Sequence, residues 1–130
     1  MTAERYLKRY FHINREIDAT LQKLEAFESR EKALQTIDPD GDELPKLREY
    51  IRQSRARIEH NADELMKIEG RIFDMIDTLD TPQERQVLTY RYINGMSWRE
   101  IAEKMYYAED TLFDWHKRAL KHLKSTVNPS

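Results

Sequence analysis

Residues 98–123 read WREIAEKMYYAEDTLFDWHKRALKHL, and this stretch predicts two short helices joined by a tight turn. Ser97 has Glu100 three residues later, a capping box that begins the first helix. The small side chain of Ala102 on the apolar face of this helix lets a second helix cross it closely. The second helix has acids in its first turn, and its apolar residues recur at helical spacing, at Leu112, Trp115, Ala119, Leu120 and Leu123. A small residue followed by apolar residues at these offsets is typical of a helix-turn-helix.

A third helix is predicted immediately before this pair, from Pro82 to Ile93. Proline is favoured at the first helical position, Thr81 can cap the helix, and Glu84 would complete a second capping box. Gly95 follows the helix and is expected to adopt the left-handed conformation that ends many helices. The three helices together predict a small helical domain.

Two longer helices are predicted in the first part of the chain. Apolar residues step by three and four positions from Ala3 to Leu34, and again from Leu44 to Leu79. Residues 38–42, DPDGD, separate the two patterns and are expected to reverse the chain. The pattern predicts a long antiparallel helical hairpin that resembles a coiled coil. The acids of the turn lack the spacing of a calcium-binding loop, so we expect a solvated turn and no metal site.

A two-helix hairpin buries only one stripe of each helix, so further packing is expected. Either two hairpins associate into a four-helix bundle, or the C-terminal helices pack back onto the hairpin. We favour self-association as a two-fold homodimer. Asn61 and Ser54 are polar positions in the apolar seam, and a buried Asn can fix register or partner choice.

Composition agrees with an all-helical protein. The 130 residues include only three Gly and four Pro, 35% are charged, and Cys is absent. No apolar run approaches the length needed to span a membrane and no signal-peptide core is present, so a cytoplasmic location is expected. Charge is uneven, because residues 1–80 hold 14 basic and 18 acidic side chains whereas residues 81–130 hold eight and six.

These patterns predict an all-α chain with three parts. Residues 1–80 form the antiparallel hairpin, which serves as an oligomerisation or partner-binding arm. Residues 81–125 form the three-helix helix-turn-helix domain, and residues 126–130 form a frayed tail.

Residues 81–123 resemble region 4 of bacterial sigma factors. They resemble the ArpU/RinA-type phage transcription regulators more closely, through the run RYINGMSWREIA at residues 91–102. The resemblance implies a phage-type regulator that binds double-stranded DNA at a promoter near RNA polymerase. It would act in the cytoplasm, which is that of the host cell if a phage encodes the protein. Two positions depart from the family pattern, since Tyr106 stands where glycine is usual and Ala108 where serine or threonine is usual.

The DNA-binding residues are expected on the outward faces of the last two helices. Base contacts would come from the first turns of the second helix, where the residues are more acidic than in sigma region 4, and phosphate contacts from the basic side chains. The candidates are Arg99, Lys104, Glu109, Asp110, Thr111, Phe113, Asp114, Lys117, Arg118, Lys121 and Lys124.

Two other functions are compatible with these patterns. A phage small terminase subunit, which packages DNA, also joins a helix-turn-helix to a helical oligomerisation region. A helical adaptor could instead use the acidic helix to bind another protein. The chain lacks a phosphate-binding glycine loop, a nucleophile motif and metal-ligand spacing of histidines, so we expect no enzymatic activity and no cofactor.

Overall fold

A computed structural model describes the backbone of residues 2–127 and the side chains of residues 2–123. The chain forms helices α1 (Ala3–Ile37), α2 (Glu43–Asp77), α3 (Pro82–Leu88), α4 (Trp98–Met105) and α5 (Glu109–Val127), with a π-helical segment (Thr89–Ile93) after α3. No strand occurs within residues 2–127, so the prediction of an all-α fold is confirmed. None of these helices is long and apolar enough to cross a membrane.

The chain divides into two compact units. The terminal unit contains Met1–Ile13 and Leu65–Ser130, and the hairpin unit contains Asn14–Glu64. Both units therefore include parts of α1 and α2, and the start of α1 belongs to the same unit as α3, α4 and α5. The proposed domain boundary near residue 80 stays a prediction.

In the hairpin unit, α1 and α2 pack as the antiparallel pair that the apolar seams predicted. Leu44, Leu47 and Ile51 of α2 are buried. Across the pair, Arg48 lies 3.4 Å from Glu31 and Arg55 lies 3.0 Å from Glu28. These ion pairs are partly exposed to solvent, so apolar burial contributes more to holding the hairpin together.

Two polar residues are buried in the hairpin unit. Thr20 donates its hydroxyl hydrogen to the carbonyl oxygen of Glu16 at 2.8 Å, which satisfies the hydroxyl. Asn61 is only 8% exposed, and its side-chain nitrogen has no hydrogen-bond partner. An unpaired buried amide costs free energy, so Asn61 weakens the seam it occupies.

The turn between α1 and α2 is held by local hydrogen bonds. The backbone nitrogen of Asp38 donates to Leu34, and that of Gly41 donates to Asp38. A Cβ atom at Gly41 would lie 2.1 Å from the carboxylate of Asp38, so the acid can fold over this position only because glycine occupies it.

The main core of the terminal unit joins distant parts of the sequence. Leu7 of α1, Ile72 of α2 and Leu88 of α3 are completely buried in one cluster, together with Ala119 and Leu123 of α5. The C-terminal helices therefore pack on the ends of α1 and α2, which was the second of the two alternatives raised for the hairpin. Association with a second copy stays a prediction.

A smaller core lies between α3, α4 and α5. Val87, Ile101 and Leu112 are completely buried there. Half-buried apolar side chains surround them, from Tyr90, Met96, Trp98, Ala102, Met105 and Trp115. This core holds α4 and α5 together and supports the surface described below.

The start of α3 differs from the prediction. Pro82 occupies the first turn as expected, but Thr81 makes no side-chain cap hydrogen bond. Glu84 is 4% exposed and accepts a hydrogen bond of 2.9 Å from Nδ1 of His122 on α5. The expected second capping box was wrong, because a tertiary partner takes the carboxylate that would have capped the helix.

The end of this helix also differs from the prediction, which placed one regular helix from Pro82 to Ile93. After Leu88 the chain widens into the π-helical segment, in which the backbone nitrogen of Asn94 donates to the oxygen of Thr89 at 2.9 Å. Gly95 then has a φ of +67°, which confirms its left-handed conformation. A π-helical turn changes the direction of side chains and is frequent at functional sites.

Candidate nucleic-acid interface

Helix α4 begins with the capping box that the sequence predicted. The backbone nitrogen of Glu100 donates to the hydroxyl of Ser97 at 3.1 Å, and the backbone nitrogen of Ser97 donates to the Glu100 carboxylate at 3.2 Å. These bonds satisfy two donors at the helix start. The capping box therefore fixes the point at which α4 begins.

The turn between α4 and α5 passes through a residue in the left-handed conformation. Tyr106 has φ 62° and ψ 39°, and its backbone nitrogen donates to the oxygen of Ala102 at 3.0 Å. Its side chain is 92% exposed. The next residue, Tyr107, packs edge-on against Trp115 of α5, with ring centroids 4.7 Å apart. The chain thus makes the turn of a helix-turn-helix without the usual glycine.

Aromatic side chains beneath α5 fix its orientation. The ring of His116 stacks on Tyr92 at 5.7 Å and meets the ring of Trp98 edge-on at 4.9 Å. Trp98 also meets Phe113 edge-on at 5.0 Å. Because Phe113 and His116 lie three residues apart on α5, these contacts hold the helix at two points of one face.

A hydrogen bond joins the same cluster to the π-helical segment. The Tyr92 oxygen lies 2.7 Å from Nε2 of His116. Burial raises the pKa of Tyr92 to about 12 and lowers the pKa of His116 below its ordinary value. At neutral pH the phenol therefore keeps its proton and the imidazole is uncharged, so the Tyr92 hydroxyl donates to Nε2.

Arg91 also contacts this aromatic cluster. Its guanidinium carbon lies 4.7 Å from the ring centroid of Phe11 and 5.1 Å from that of Trp98, and it donates to the backbone oxygen of Met96 at 3.0 Å. An arginine stacked on two rings is held by cation–π attraction as well as by this hydrogen bond. Arg91 and Trp98 belong to the run RYINGMSWREIA, so this run provides packing contacts beneath the surface of the helix-turn-helix.

The residues predicted to bind DNA lie on α4 and α5. Arg99 pairs with Glu103 at 3.6 Å, and the Lys104 ammonium lies 5.3 Å from the Tyr90 ring centroid. Thr111 is half-buried, and the side chain of Lys124 lies outside those the structure describes. The other candidates are exposed on α5, namely Glu109, Asp110, Phe113, Asp114, Lys117, Arg118 and Lys121.

Charge changes sign along this exposed face of α5. Glu109, Asp110 and Asp114 occupy its first half, whereas Lys117, Arg118 and Lys121 follow. Acids near a helix start and bases further along both interact favourably with the helix dipole. The basic side chains that suit phosphate contacts therefore lie in the second half of α5, while the carboxylates of the first half are hydrogen-bond acceptors.

Sequence reasoning did not identify the residues that support this surface. His116 and His122 bond to Tyr92 and Glu84, which lie 24 and 38 positions away in the sequence. The aromatic content of TYRYI and the arginine within it were the only signals available. Among the residues described, no cluster of three or more His, Asp or Glu side chains is suited to hold a metal ion.

The arrangement of α4, the turn and α5 on a shared core defines a helix-turn-helix. Residues 70–123 match the family described as Sigma-70, region 4, whose helix-turn-helix binds DNA. The match begins within α2 and ends within α5, at Leu123. Comparison with curated proteins and with solved structures finds no match.

Proposed function

We propose that this protein is a sequence-specific DNA-binding regulator of transcription whose helix α5 enters the major groove. The observation that carries the proposal is the match of residues 70–123 to Sigma-70, region 4, combined with an α5 whose outward face is exposed. A helix supported from beneath by packed aromatic rings can present that face to a duplex without losing its position. The proposed function is binding and involves no catalysis.

Within the proposed complex the two halves of α5 have different roles. Lys117 and Arg118 bind phosphates, and Lys121 and Lys124 extend the same basic side. In the first half, Asp110 or Asp114 accepts a hydrogen bond from a cytosine amino group, and Phe113 contacts a thymine methyl group. Arg99 and Lys104 on α4 add charge near the backbone.

We propose a phage-type regulator acting in the cytoplasm at a promoter, near RNA polymerase. The run RYINGMSWREIA supports the phage-type assignment, and the polymerase contact follows from the role of sigma region 4. The hairpin unit serves as the oligomerisation arm of a homodimer. Exposed apolar side chains on that unit, including Leu21 and Tyr50, support a role in association.

DNA selection followed by binding measurements tests this function. Fragments of the parent genome that bind the protein are sequenced, and the affinity for the best fragment is measured at low and high salt. A DNA-binding protein that neutralises several phosphates loses affinity steeply as salt rises. Absence of measurable binding at low salt would favour the adaptor, for which the acidic first turn of α5 is the specific argument. The mass of the protein in solution gives the number of copies, and eight or more copies would favour the small terminase subunit.

Alanine variants separate the two halves of α5. Lys117→Ala and Arg118→Ala are expected to weaken binding to all sequences, each by several-fold, because phosphate contacts carry no sequence information. Asp114→Ala is expected to change the preference among fragments, or to strengthen all binding if the carboxylate only repels phosphates. Lys46→Ala, in the hairpin unit, is the matched control for loss of one exposed charge. Unchanged binding in all three α5 variants would remove this helix from the interface.

A further inference from the structure

A shallow hollow lies between α1 and α2 in the hairpin unit. Its volume is about 230 Å³, which is smaller than the pockets that enclose small molecules, so it suits a ligand that enters only in part. The side chains that line it include two aromatic rings, two cations and a hydroxyl, namely Phe27, Tyr50, Lys23, Arg57 and Ser54. All of these belong to the hairpin unit, whereas α5 belongs to the terminal unit.

The two aromatic rings of the hollow hold each other in place. Phe27 of α1 and Tyr50 of α2 stack across the pair, with ring centroids 6.0 Å apart and ring planes inclined by 26°. Tyr50 is nevertheless 57% exposed, so its ring keeps an open surface on which a flat ligand can stack. A ring that is already ordered loses little conformational entropy when a ligand packs on it.

Cations lie on both sides of this ring pair along the hairpin. Lys23 lies four residues before Phe27 on α1. Arg57 lies seven residues after Tyr50 on α2, and because the helices are antiparallel it lies in the same direction from the rings as Lys23. Arg30 is exposed and lies three residues after Phe27, about 4.5 Å along the axis in the other direction. Positive charge therefore flanks the exposed ring.

Among the side chains that the structure describes, these cations have no acidic partner. Lys23, Arg30 and Arg57 form neither an ion pair nor a side-chain hydrogen bond there. By contrast, three arginines of α2 form ion pairs with glutamates, namely Arg48, Arg52 and Arg55. The hydroxyl of Ser54, which is half-buried, makes no hydrogen bond to a described residue either. These donors are therefore available to an anion.

We propose that this hollow binds single-stranded nucleic acid. One base stacks on the exposed surface of Tyr50. The phosphate on one side of the base binds Arg30, and the phosphate on the other side binds Lys23 and Arg57. Proteins that bind single strands combine aromatic rings for the bases with cations for the phosphates. A duplex fits less well, because its bases are stacked on one another and offer no free face to the ring.

Two neighbouring features are compatible with this ligand. The carboxylate of Glu49, beside the exposed tyrosine, already accepts hydrogen bonds from Arg52 at 2.9 Å and Gln53 at 3.1 Å. Leu21 lies two residues before Lys23 and therefore on nearly the opposite side of α1. The exposed tyrosine then serves the nucleic acid, while Leu21 remains for association of the hairpins.

Binding of a fluorescent oligothymidylate of about eight nucleotides tests the proposal. Every sample is the full chain with Lys117→Ala and Arg118→Ala, so the two phosphate contacts proposed for α5 are absent throughout. Titrations at about 50 mM and about 200 mM salt give the affinity and its salt dependence. Failure of duplex binding through α5 would not affect these samples, so the two proposals can fail separately.

Substitution of the exposed ring tests stacking. Tyr50→Ala is expected to weaken binding about five-fold or more, because a stacked base is lost. Tyr50→Phe keeps the ring and is expected to bind as the chain with tyrosine does. A strand of the same length without bases keeps the phosphates and is expected to bind as weakly as thymidylate binds to Tyr50→Ala. Equal binding of the two strands by the chain with tyrosine would overturn the proposal.

Substitution of the cations tests the phosphate contacts. Lys23→Ala and Arg57→Ala are each expected to reduce the slope of log affinity against log salt by about 0.7, the value for one phosphate of a single strand. Lys32→Ala is the matched control, because Lys32 is exposed and lies nine residues after Lys23, on the opposite side of α1. An equal change of slope in Lys32→Ala would show that charge alone decides binding and would overturn the proposal.

An acidic peptide is the alternative ligand for cations beside a ring. A polyglutamate peptide with as many charges as the strand is expected to displace thymidylate poorly, because it has no bases. Displacement as effective as that by unlabelled thymidylate would overturn the proposal. A strand that contains bromodeoxyuridine is expected to cross-link to Tyr50 on irradiation, as mass spectrometry of the digested protein can show. Cross-links confined to the terminal unit would place the strand elsewhere and would also overturn it.

Discussion

Tyr106 determines the shape of the turn between α4 and α5 at the cost of backbone strain. A residue with a Cβ atom in the left-handed conformation loses on the order of 1 kcal/mol relative to glycine. The Tyr106 side chain is almost fully exposed, so little packing energy offsets that loss. Its neighbour Tyr107 provides the aromatic contact with α5 instead.

Tyr106→Gly is therefore expected to raise the free energy of unfolding by about 0.5–1 kcal/mol, the net of relieved strain and added chain entropy. Chemical denaturation followed by tryptophan fluorescence measures this change, since both tryptophans, Trp98 and Trp115, lie in the terminal unit. Tyr106→Ala is the control, because alanine keeps the strain while also losing the phenol ring. A gain of the same size with alanine would contradict the explanation.

His116 links the packing beneath α5 to pH. Burial lowers the pKa of His116 in the folded chain, Arg91 and Lys8 lower it further, and Glu4 partly opposes them. The unfolded chain therefore binds a proton at higher pH than the folded chain does. Stability is expected to decrease as pH falls below about 6.5, the ordinary histidine value.

Denaturation midpoints at pH 7.5 and pH 5.5 measure this dependence, using values on either side of about 6.5. His116→Gln keeps a hydrogen-bonding side chain but cannot take up a proton, so it is expected to show a smaller loss between the two values. His60→Gln, at an exposed position, is expected to behave as the unsubstituted chain. An equal loss in all three proteins would show that His116 does not cause it.

At the scale of helices, local sequence signals were reliable where the partner was near in the chain. Ser97 and Glu100 are three residues apart, and the capping box formed as predicted. Gly95 ended the preceding segment in the left-handed conformation. The apolar steps of three and four placed α1 and α2 within a few residues of their observed ends.

Signals failed where a distant partner decided the outcome. Glu84 has the spacing of a capping residue, yet His122 on α5 takes its carboxylate. No sequence motif predicts the π-helical segment at Thr89–Ile93. Its side chains contact Phe11 and form a hydrogen bond with His116. Such contacts depend on tertiary packing, which periodicity within one helix cannot reveal.

The two helix starts allow a comparison of capping energies. Ser97→Ala is expected to lower the free energy of unfolding by about 1 kcal/mol, because it removes the acceptor for the Glu100 backbone nitrogen. Thr81→Ala is expected to change it by less than about 0.5 kcal/mol, since Thr81 makes no side-chain cap bond. Denaturation followed by tryptophan fluorescence compares the two variants, and equal losses would contradict the assignment of caps.

At the scale of the molecule, the start of α1 is part of the unit that contains the helix-turn-helix. Leu7 is completely buried in the same core as Leu88 and Leu123, although more than eighty residues separate it from either. The first turns of α1 therefore stabilise α3 and α5 by apolar burial. A substitution in the first turns of α1 is therefore expected to destabilise the helices that form the proposed DNA-binding surface.

Leu7→Ala is expected to lower the free energy of unfolding of the terminal unit by about 2–5 kcal/mol, the usual range for a buried leucine that leaves a cavity. The fluorescence of Trp98 and Trp115 reports this loss from α4 and α5 themselves. Ile37→Ala is the matched control, because Ile37 is 79% exposed in the hairpin unit and should change the value by less than about 0.5 kcal/mol. If the tryptophan transition of Leu7→Ala coincided with that of Ile37→Ala, the start of α1 would not support the helix-turn-helix. A shift found only for Leu7→Ala would instead mean that the stability of α4 and α5 depends on the start of α1.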